Sequence, residues 1–116
     1  MQKLTAIIPT GNEIHNIEAV IASVDFADEI LVVDSFSNDG TFEKAQELAT
    51  KVIRRKFEYP ASQKNWAIPQ AAHEWILLVD ADERVTPELK EEILTLLNQP
   101  QQEHIAYWIG RMNHFM

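Results

Sequence analysis

Three carboxylates stand within four positions, Asp80, Asp82 and Glu83, directly after the apolar run Trp75-Ile76-Leu77-Leu78-Val79. Five consecutive apolar residues bounded by polar ones predict a strand buried on both faces of a parallel sheet. In open α/β sheets ligands bind beyond the carboxyl ends of the strands, where the chain leaves the sheet. Asp80 and Asp82 are separated only by the small Ala81, so both can reach one bound cation or one sugar-phosphate. Hard carboxylate oxygens of this kind suit Mg2+ or Mn2+ carrying phosphates. The same acids could equally form a solvated turn that starts the next helix, because Asp favours such positions. A second acid, Asp34, closes the run Ile30-Leu31-Val32-Val33. Two acids at neighbouring strand ends would face one crevice, although Asp34 could instead bond to its own loop. Asp39-Gly40 reads as a turn or helix-cap element.

These acids need a scaffold, and the rest of the chain supplies its pattern. Leu4-Thr5-Ala6-Ile7-Ile8 predicts a first strand, closed by Pro9, with a turn over Thr10-Gly11-Asn12-Glu13. Ile14, Ile17, Val20, Ile21 and Val24 then recur at helical spacing. Asp28 to Val33 predicts the second strand, and the polar loop Ser35–Thr41 leads into a helix with Phe42, Ala45, Leu48 and Ala49 on one face. Thr41 is the expected N-cap. Lys51-Val52-Ile53 is a short third strand, followed by a basic and then aromatic loop from Arg54 to Pro60. Residues 62–72 look helical, with Pro69 shortening or kinking the helix. After the Trp75–Val79 strand, Thr86 caps a last helix with Pro87 at its first position. Leu89, Ile93, Leu96 and Leu97 are its apolar face, and 104–110 starts another strand. This alternation predicts a mainly parallel α/β sheet flanked by helices.

Size and charge narrow the function. At 116 residues the chain is one domain, and its formal net charge of −8 argues against nucleic acid or an anionic membrane surface as partner. A phosphate ligand remains compatible, because a divalent cation at the acids would invert the local field. No cysteine is present, so there is neither a disulfide framework nor thiolate chemistry, which fits a cytoplasmic protein. Met1-Gln2-Lys3-Leu4 leads straight into a strand-like run without a signal-peptide pattern, and no apolar stretch approaches the ~18 residues of a membrane span. The first loop carries neither a G-x-G-x-x-G nor a P-loop pattern. With three glycines in all, the chain has little means of cradling phosphate by backbone alone. Charge on a phosphate must be met by a metal or by Lys and Arg side chains.

Three blocks now stand in order: Ala6-Ile7-Ile8-Pro9-Thr10-Gly11-Asn12-Glu13, Ile30-Leu31-Val32-Val33-Asp34-Ser35-Phe36-Ser37-Asn38-Asp39-Gly40-Thr41, and Ile76-Leu77-Leu78-Val79-Asp80-Ala81-Asp82-Glu83. Together they resemble family 2 glycosyltransferases of the GT-A fold, over nearly the whole chain. The resemblance implies a GT-A, Rossmann-like α/β domain over residues 1–116 that binds a nucleotide-diphosphate sugar and is incomplete at its C-terminus. It places Pro9, Thr10, Asn12, Glu13 and Asp34 around the base and ribose. Asp80-Ala81-Asp82 matches the D-x-D motif, with Asp80 toward the ribose and Asp82 on the divalent metal, Mg or Mn. Lys64 falls where the family often has Arg-Asn, which makes it a candidate nucleotide contact. Ser35 stands where a second Asp is common and Gly11 where an aromatic is frequent, so details of base recognition differ.

The implied activity is an inverting, metal-dependent transfer from a nucleotide-diphosphate sugar, a UDP-sugar foremost, to a glycan or lipid-linked acceptor. The late Tyr-Trp-Ile-Gly-Arg-Met-Asn-His-Phe stretch is similar to bacterial lipopolysaccharide-core and cell-surface glucosyltransferases, which implies envelope polysaccharide synthesis in the cytoplasm or at the inner face of the membrane. The catalytic residue stays unknown, because the family's general base is expected outside this chain. The competing reading is a nucleotide-sugar-binding fragment without transfer. A receiver domain would need an acid pair after the first strand and a late Lys, and a sugar nucleotidyltransferase would need a Gly- and Arg-rich first loop. His15, His73, His104 and His114 lack metal-ligand spacing. Trp66, Trp75 and Trp108 read as core or sheet-covering residues.

Overall fold

The computed structural model describes residues 3–56, 66–73 and 75–98, together with the backbone of residues 106–108. Five strands form one sheet: β1 (Leu4–Thr10), β2 (Glu29–Asp34), β3 (Lys51–Arg54), β4 (Trp75–Leu78) and β5 (Ala106–Trp108), in the order β3-β2-β1-β4-β5. All four pairings are parallel, as the alternation of strands and helices predicts. Helices described over their full length lie between them, α1 (Ile17–Ser23), α2 (Thr41–Leu48) and α3 (Pro87–Leu97), and residues 66–67 are helical too. Among the described residues no helix is long and apolar enough to cross a membrane.

Side chains of a strand alternate between its two faces, and both faces here are covered. Leu4, Ala6 and Ile8 of β1 join Ile30 and Val32 of β2, and Trp75 and Leu77 of β4, in a cluster shared with Ile17, Val20, Ala45, Leu89 and Ile93 of the helices. The opposite face gathers Ile7, Leu31, Val33, Ile76 and Leu78 beneath Ala67, with Trp66, Ile68 and Ala71 packed on it. That is why the strand sequences are continuously apolar rather than alternating. Ile7 and Leu31 have no exposed surface, and truncating either to Ala would cost about 2–5 kcal/mol. Glu29, a buried acid on this sheet surface, is satisfied: its Oε1 accepts from the Thr5 hydroxyl at 2.6 Å and from the Ala72 N–H at 2.8 Å.

Several boundaries differ from the sequence expectation, each for a local reason. Pro9 does not close β1, which runs on to Thr10. The odd residues of β1 face β4: the Ile7 carbonyl accepts from the Val79 N–H. Pro9 lacks the N–H that would reach the Val79 carbonyl next, so the β1–β4 ladder ends at the Ile7–Leu78 pair while the β1–β2 pairing, which uses the other edge, continues to Thr10. Ile14 lies in a turn ahead of α1 rather than within it. Thr41 is the first residue of α2, and the cap is Gly40, whose φ of 100° a β-carbon would strain. The expected apolar face of α2 is rotated: Thr41 and Ala45 are buried and Leu48 is exposed. Pro69 sits near the start of a short 3-10 turn, Ile68–Gln70, where a proline is tolerated; residues 62–65 of the expected helix lie outside the described residues. At α3 the expectation holds, with the Thr86 hydroxyl accepting from the Leu89 N–H and Pro87 in the first turn.

Candidate functional site

β1 lies between β2 and β4, so the chain steps one way from β1 to β2 and β3 and the other way to β4 and β5. Such a reversal opens a crevice at the carboxyl ends of the strands. The acids stand on one side of it. Ligand oxygens of Asp80, Asp82 and Glu83 lie within 4.8 Å of one another; Asp82 is exposed, and Asp80 and Glu83 are half-buried. The turn that gathers them is closed twice: the Asp80 N–H donates to Glu83 Oε1 and the Glu83 N–H to the Asp80 carbonyl, each at 3.0 Å. Glu83 thus shapes the turn as well as contributing a carboxylate. Hard oxygens converging on one point, one of them on an exposed side chain, form a donor set that fits Mg2+ or Mn2+.

The β1 loop forms the other wall, and it is pinned by the β2 loop. The Ser35 N–H donates to the Thr10 carbonyl at 2.9 Å, and the Asn12 N–H to Ser37 Oγ at 2.7 Å. The Asn38 N–H donates to Asn12 Oδ1 at 2.9 Å, and the Glu13 N–H to Thr41 Oγ1 at 2.8 Å. Asp39 accepts from the Ile14 and Thr41 N–H groups and from the Thr41 hydroxyl. The Thr41 hydroxyl bond, foremost, and the backbone donors hold the Asp39 carboxyl below its ordinary value of 3.8 against a smaller opposing effect of desolvation. Asn12 itself adopts φ 56°, a left-handed conformation that Asn tolerates well.

Asp34 does not stand as its place in the sequence would have it. β2 and β4 are not neighbours, since β1 separates them, so Asp34 and Asp80 are not a pair across one gap. The Asp34 side chain is fully buried. Its Oδ1 accepts from the Thr10 and Ser37 hydroxyls, each at 2.6 Å, and its Oδ2 from the Ser37 N–H at 2.8 Å. Thr10 is its direct cross-strand partner, and its own hydroxyl is committed to that contact. Pro9 is half-buried, Asn12 exposed and Glu13 half-buried at the crevice edge. Lys64 lies outside the described residues.

Arg84 joins the two walls, and the sequence reading passed over it. Its Nη1 donates to the Ala81 and Glu83 carbonyls at 2.8 and 2.6 Å, and its Nη2 to Asn16 Oδ1 at 2.9 Å. Asn16 Nδ2 in turn donates to Glu13 Oε1 at 3.0 Å. The planar five-donor guanidinium can serve all these acceptors at once, which a Lys could not. A lone cation next to three acids was the available signal.

Comparison with known proteins accords with this geometry. The family model for glycosyl transferase family 2 matches residues 5–113. An uncharacterized glycosyltransferase of Rickettsia bellii is 40% identical over 110 residues, covering 93% of this chain and 37% of the relative. The lipopolysaccharide core biosynthesis glycosyltransferase LpsC of Rhizobium meliloti is 34% identical over 99 residues, covering 81% of this chain and 37% of its own. Glucosyl-3-phosphoglycerate synthase of Mycobacterium tuberculosis, solved with Mn2+, UDP and glucosyl-3-phosphoglycerate, superposes with a TM-score of 0.66 at 21% identity over 85% of this chain and 41% of that one. The chain thus spans well under half the length of the proteins it matches. Sequence and fold agree in one conclusion: the chain belongs to glycosyl transferase family 2 and has the GT-A fold.

Proposed function

We propose that the chain is the donor-binding part of an inverting, metal-dependent glycosyltransferase that uses a nucleotide-diphosphate sugar, a UDP-sugar foremost. The observation that carries this reading is the convergence of Asp80, Asp82 and Glu83 within 4.8 Å just past the end of β4, on a turn linked through Arg84 and Asn16 to Glu13 of the β1 loop. Asp82, the exposed member, would hold a divalent cation together with Asp80, and that cation would neutralise the diphosphate leaving group as the sugar–oxygen bond breaks. Glu83 and Arg84 hold the turn in the geometry this requires. Pro9, Asn12 and Glu13 line the ribose and base side, with Lys64 as a further contact. Asp34 acts there by holding Thr10 and Ser37, and so the loop that meets the nucleotide. Support for a UDP donor and Mn2+ comes from the mycobacterial synthase, and support for an envelope acceptor from LpsC.

The acceptor pocket and the general base belong, on this reading, to the part of the family's length that this chain does not span, since it covers 37% of the Rickettsia bellii relative. That length difference also favours a second reading, a fragment that binds nucleotide sugar without transferring it. Thermal unfolding with UDP, GDP and ADP, each with and without Mn2+, tests the first reading. A ligand at about 100 times its Kd adds roughly 2.7 kcal/mol, on the order of ten degrees for a domain of this size. The expected outcome is a Mn2+-dependent shift with one nucleotide that disappears in Asp82→Ala. Absence of any shift would overturn the reading; a shift without sugar transfer in the same chain would select the second.

A further inference from the structure

One large apolar side chain of the β2 loop stands out in solvent. Phe36 is 59% exposed, on the β2 loop, and its backbone holds φ at 53°. A left-handed conformation is unfavourable for a bulky residue that is neither Gly, Asn nor Asp. Single exposed apolar side chains are ordinary, but one held in a costly conformation by bonds on both flanks is not. The Ser35 N–H is tied to Thr10, and Ser37 to Asp34 and Asn12. The loop is built so that this ring stands outside it.

Its surroundings have the chemistry of a stacking site. The Arg54 guanidinium lies 3.7 Å from the centre of the Phe42 ring and 5.6 Å from that of Phe36, so one cation stands within reach of two aromatic faces. In the β1 loop, where Thr10 and Asn12 on either side of Gly11 are bonded to Ser35 and Ser37 on either side of Phe36, a β-carbon built on Gly11 would meet nothing within 4 Å. β2 and β4 are two strand spacings apart, roughly 10 Å. That is the reach of a nucleoside diphosphate from its distal phosphate to its base. A phosphate held at Asp82 would leave the end of β2 within reach of the base.

We propose that Phe36, backed by Arg54, is the stacking face for the base of the nucleotide donor. The inference rests on the donor-site reading above and adds the residue that grips the base. Stacking is tolerant of base identity because every base has a π-face, so Phe36 supplies affinity for a nucleoside and leaves the choice of base to polar groups.

The test separates the two ends of the ligand. Titrations of the chain with UDP, GDP and ADP in Mn2+ are compared with titrations of inorganic pyrophosphate in Mn2+, which loads the metal end alone. Phe36→Ala removes the ring, and Phe36→Asn removes it while favouring the left-handed backbone. Both should weaken the bound nucleotide roughly tenfold and leave pyrophosphate unchanged, and Phe36→Trp should restore nucleotide affinity. Unchanged nucleotide affinity in Phe36→Asn overturns the proposal, as does a parallel loss of pyrophosphate, which would mean that the loop and not the ring was lost. Pyrophosphate binding without any nucleotide binding overturns the stacking role and leaves the metal site standing. Binding of neither overturns both.

Discussion

Asp34 and Asp82 are the same residue type near the carboxyl ends of two strands of one sheet, and they have opposite environments. Asp34 is fully buried and accepts three hydrogen bonds from Thr10 and Ser37, all within the protein. Asp82 is exposed, on a turn whose closure is left to its neighbours Asp80, Glu83 and Arg84. One carboxylate builds the crevice wall, and the other is presented to what enters. The division has a physical basis. A buried charge is tolerated only when donors surround it, and a carboxylate so surrounded has little capacity left for a ligand.

Substitutions can break this comparison at either end. Asp34→Ala should have the largest effect on stability. It strands the buried Thr10 and Ser37 donors, each costing about 1–3 kcal/mol, so a loss of several kcal/mol is expected in urea unfolding. A loss within surface range would mean that the wall does not depend on Asp34. Asp82→Ala should leave urea stability within about 0.5 kcal/mol while removing the Mn2+-dependent nucleotide shift. Arg84→Ala lies between the two. Freeing the Ala81 and Glu83 carbonyls and Asn16 should cost about 1–2 kcal/mol, and it should weaken Mn2+ binding because the acid turn loses its brace. Arg84→Lys, which keeps the charge without the fork, should recover only part of either effect.

The smallest effect concerns acidity. The Asp39 carboxyl is held below 3.8 in the folded protein, chiefly by the Thr41 hydroxyl. A depressed folded value means stability that is present above the unfolded value and is lost as pH falls through the folded one. The unfolding midpoint of the wild-type chain should therefore fall more steeply below pH 3.8 than that of Asp39→Asn. Equal slopes would remove Asp39 from the clasp between the two loops.

How much of this was legible in the sequence depended on the range of the interaction. The Thr86-Pro87 cap is local, and residue type alone gave it. The strands were legible because runs such as Ile30–Val33 have one reading in a parallel sheet. The acid turn was legible because three carboxylates follow a strand directly. The inward aim of Asp34 was not, since it requires knowing that Thr10, 24 residues away, is its cross-strand partner. Arg84 was missed for the same reason: its partner Asn16 is 68 residues distant. The rotated face of α2 shows a further limit, since helical spacing gives the period of a buried stripe but not which side the sheet will cover. Thr41 was misplaced by one residue because its hydroxyl serves the neighbouring loop and so is unavailable to its own helix.

The outer strand carries a different consequence. Among the described residues β3 ends the sheet, four residues long, with exposed Lys51 and Arg54 at its two ends. An unpaired strand edge is a template on which another chain can polymerise. Here a second copy approaching edge to edge would bring cation against cation along a ribbon too short to repay the repulsion. In a chain of net charge −8, that small basic hem sets like charges where two such edges would meet, which disfavours edge-to-edge growth of the sheet.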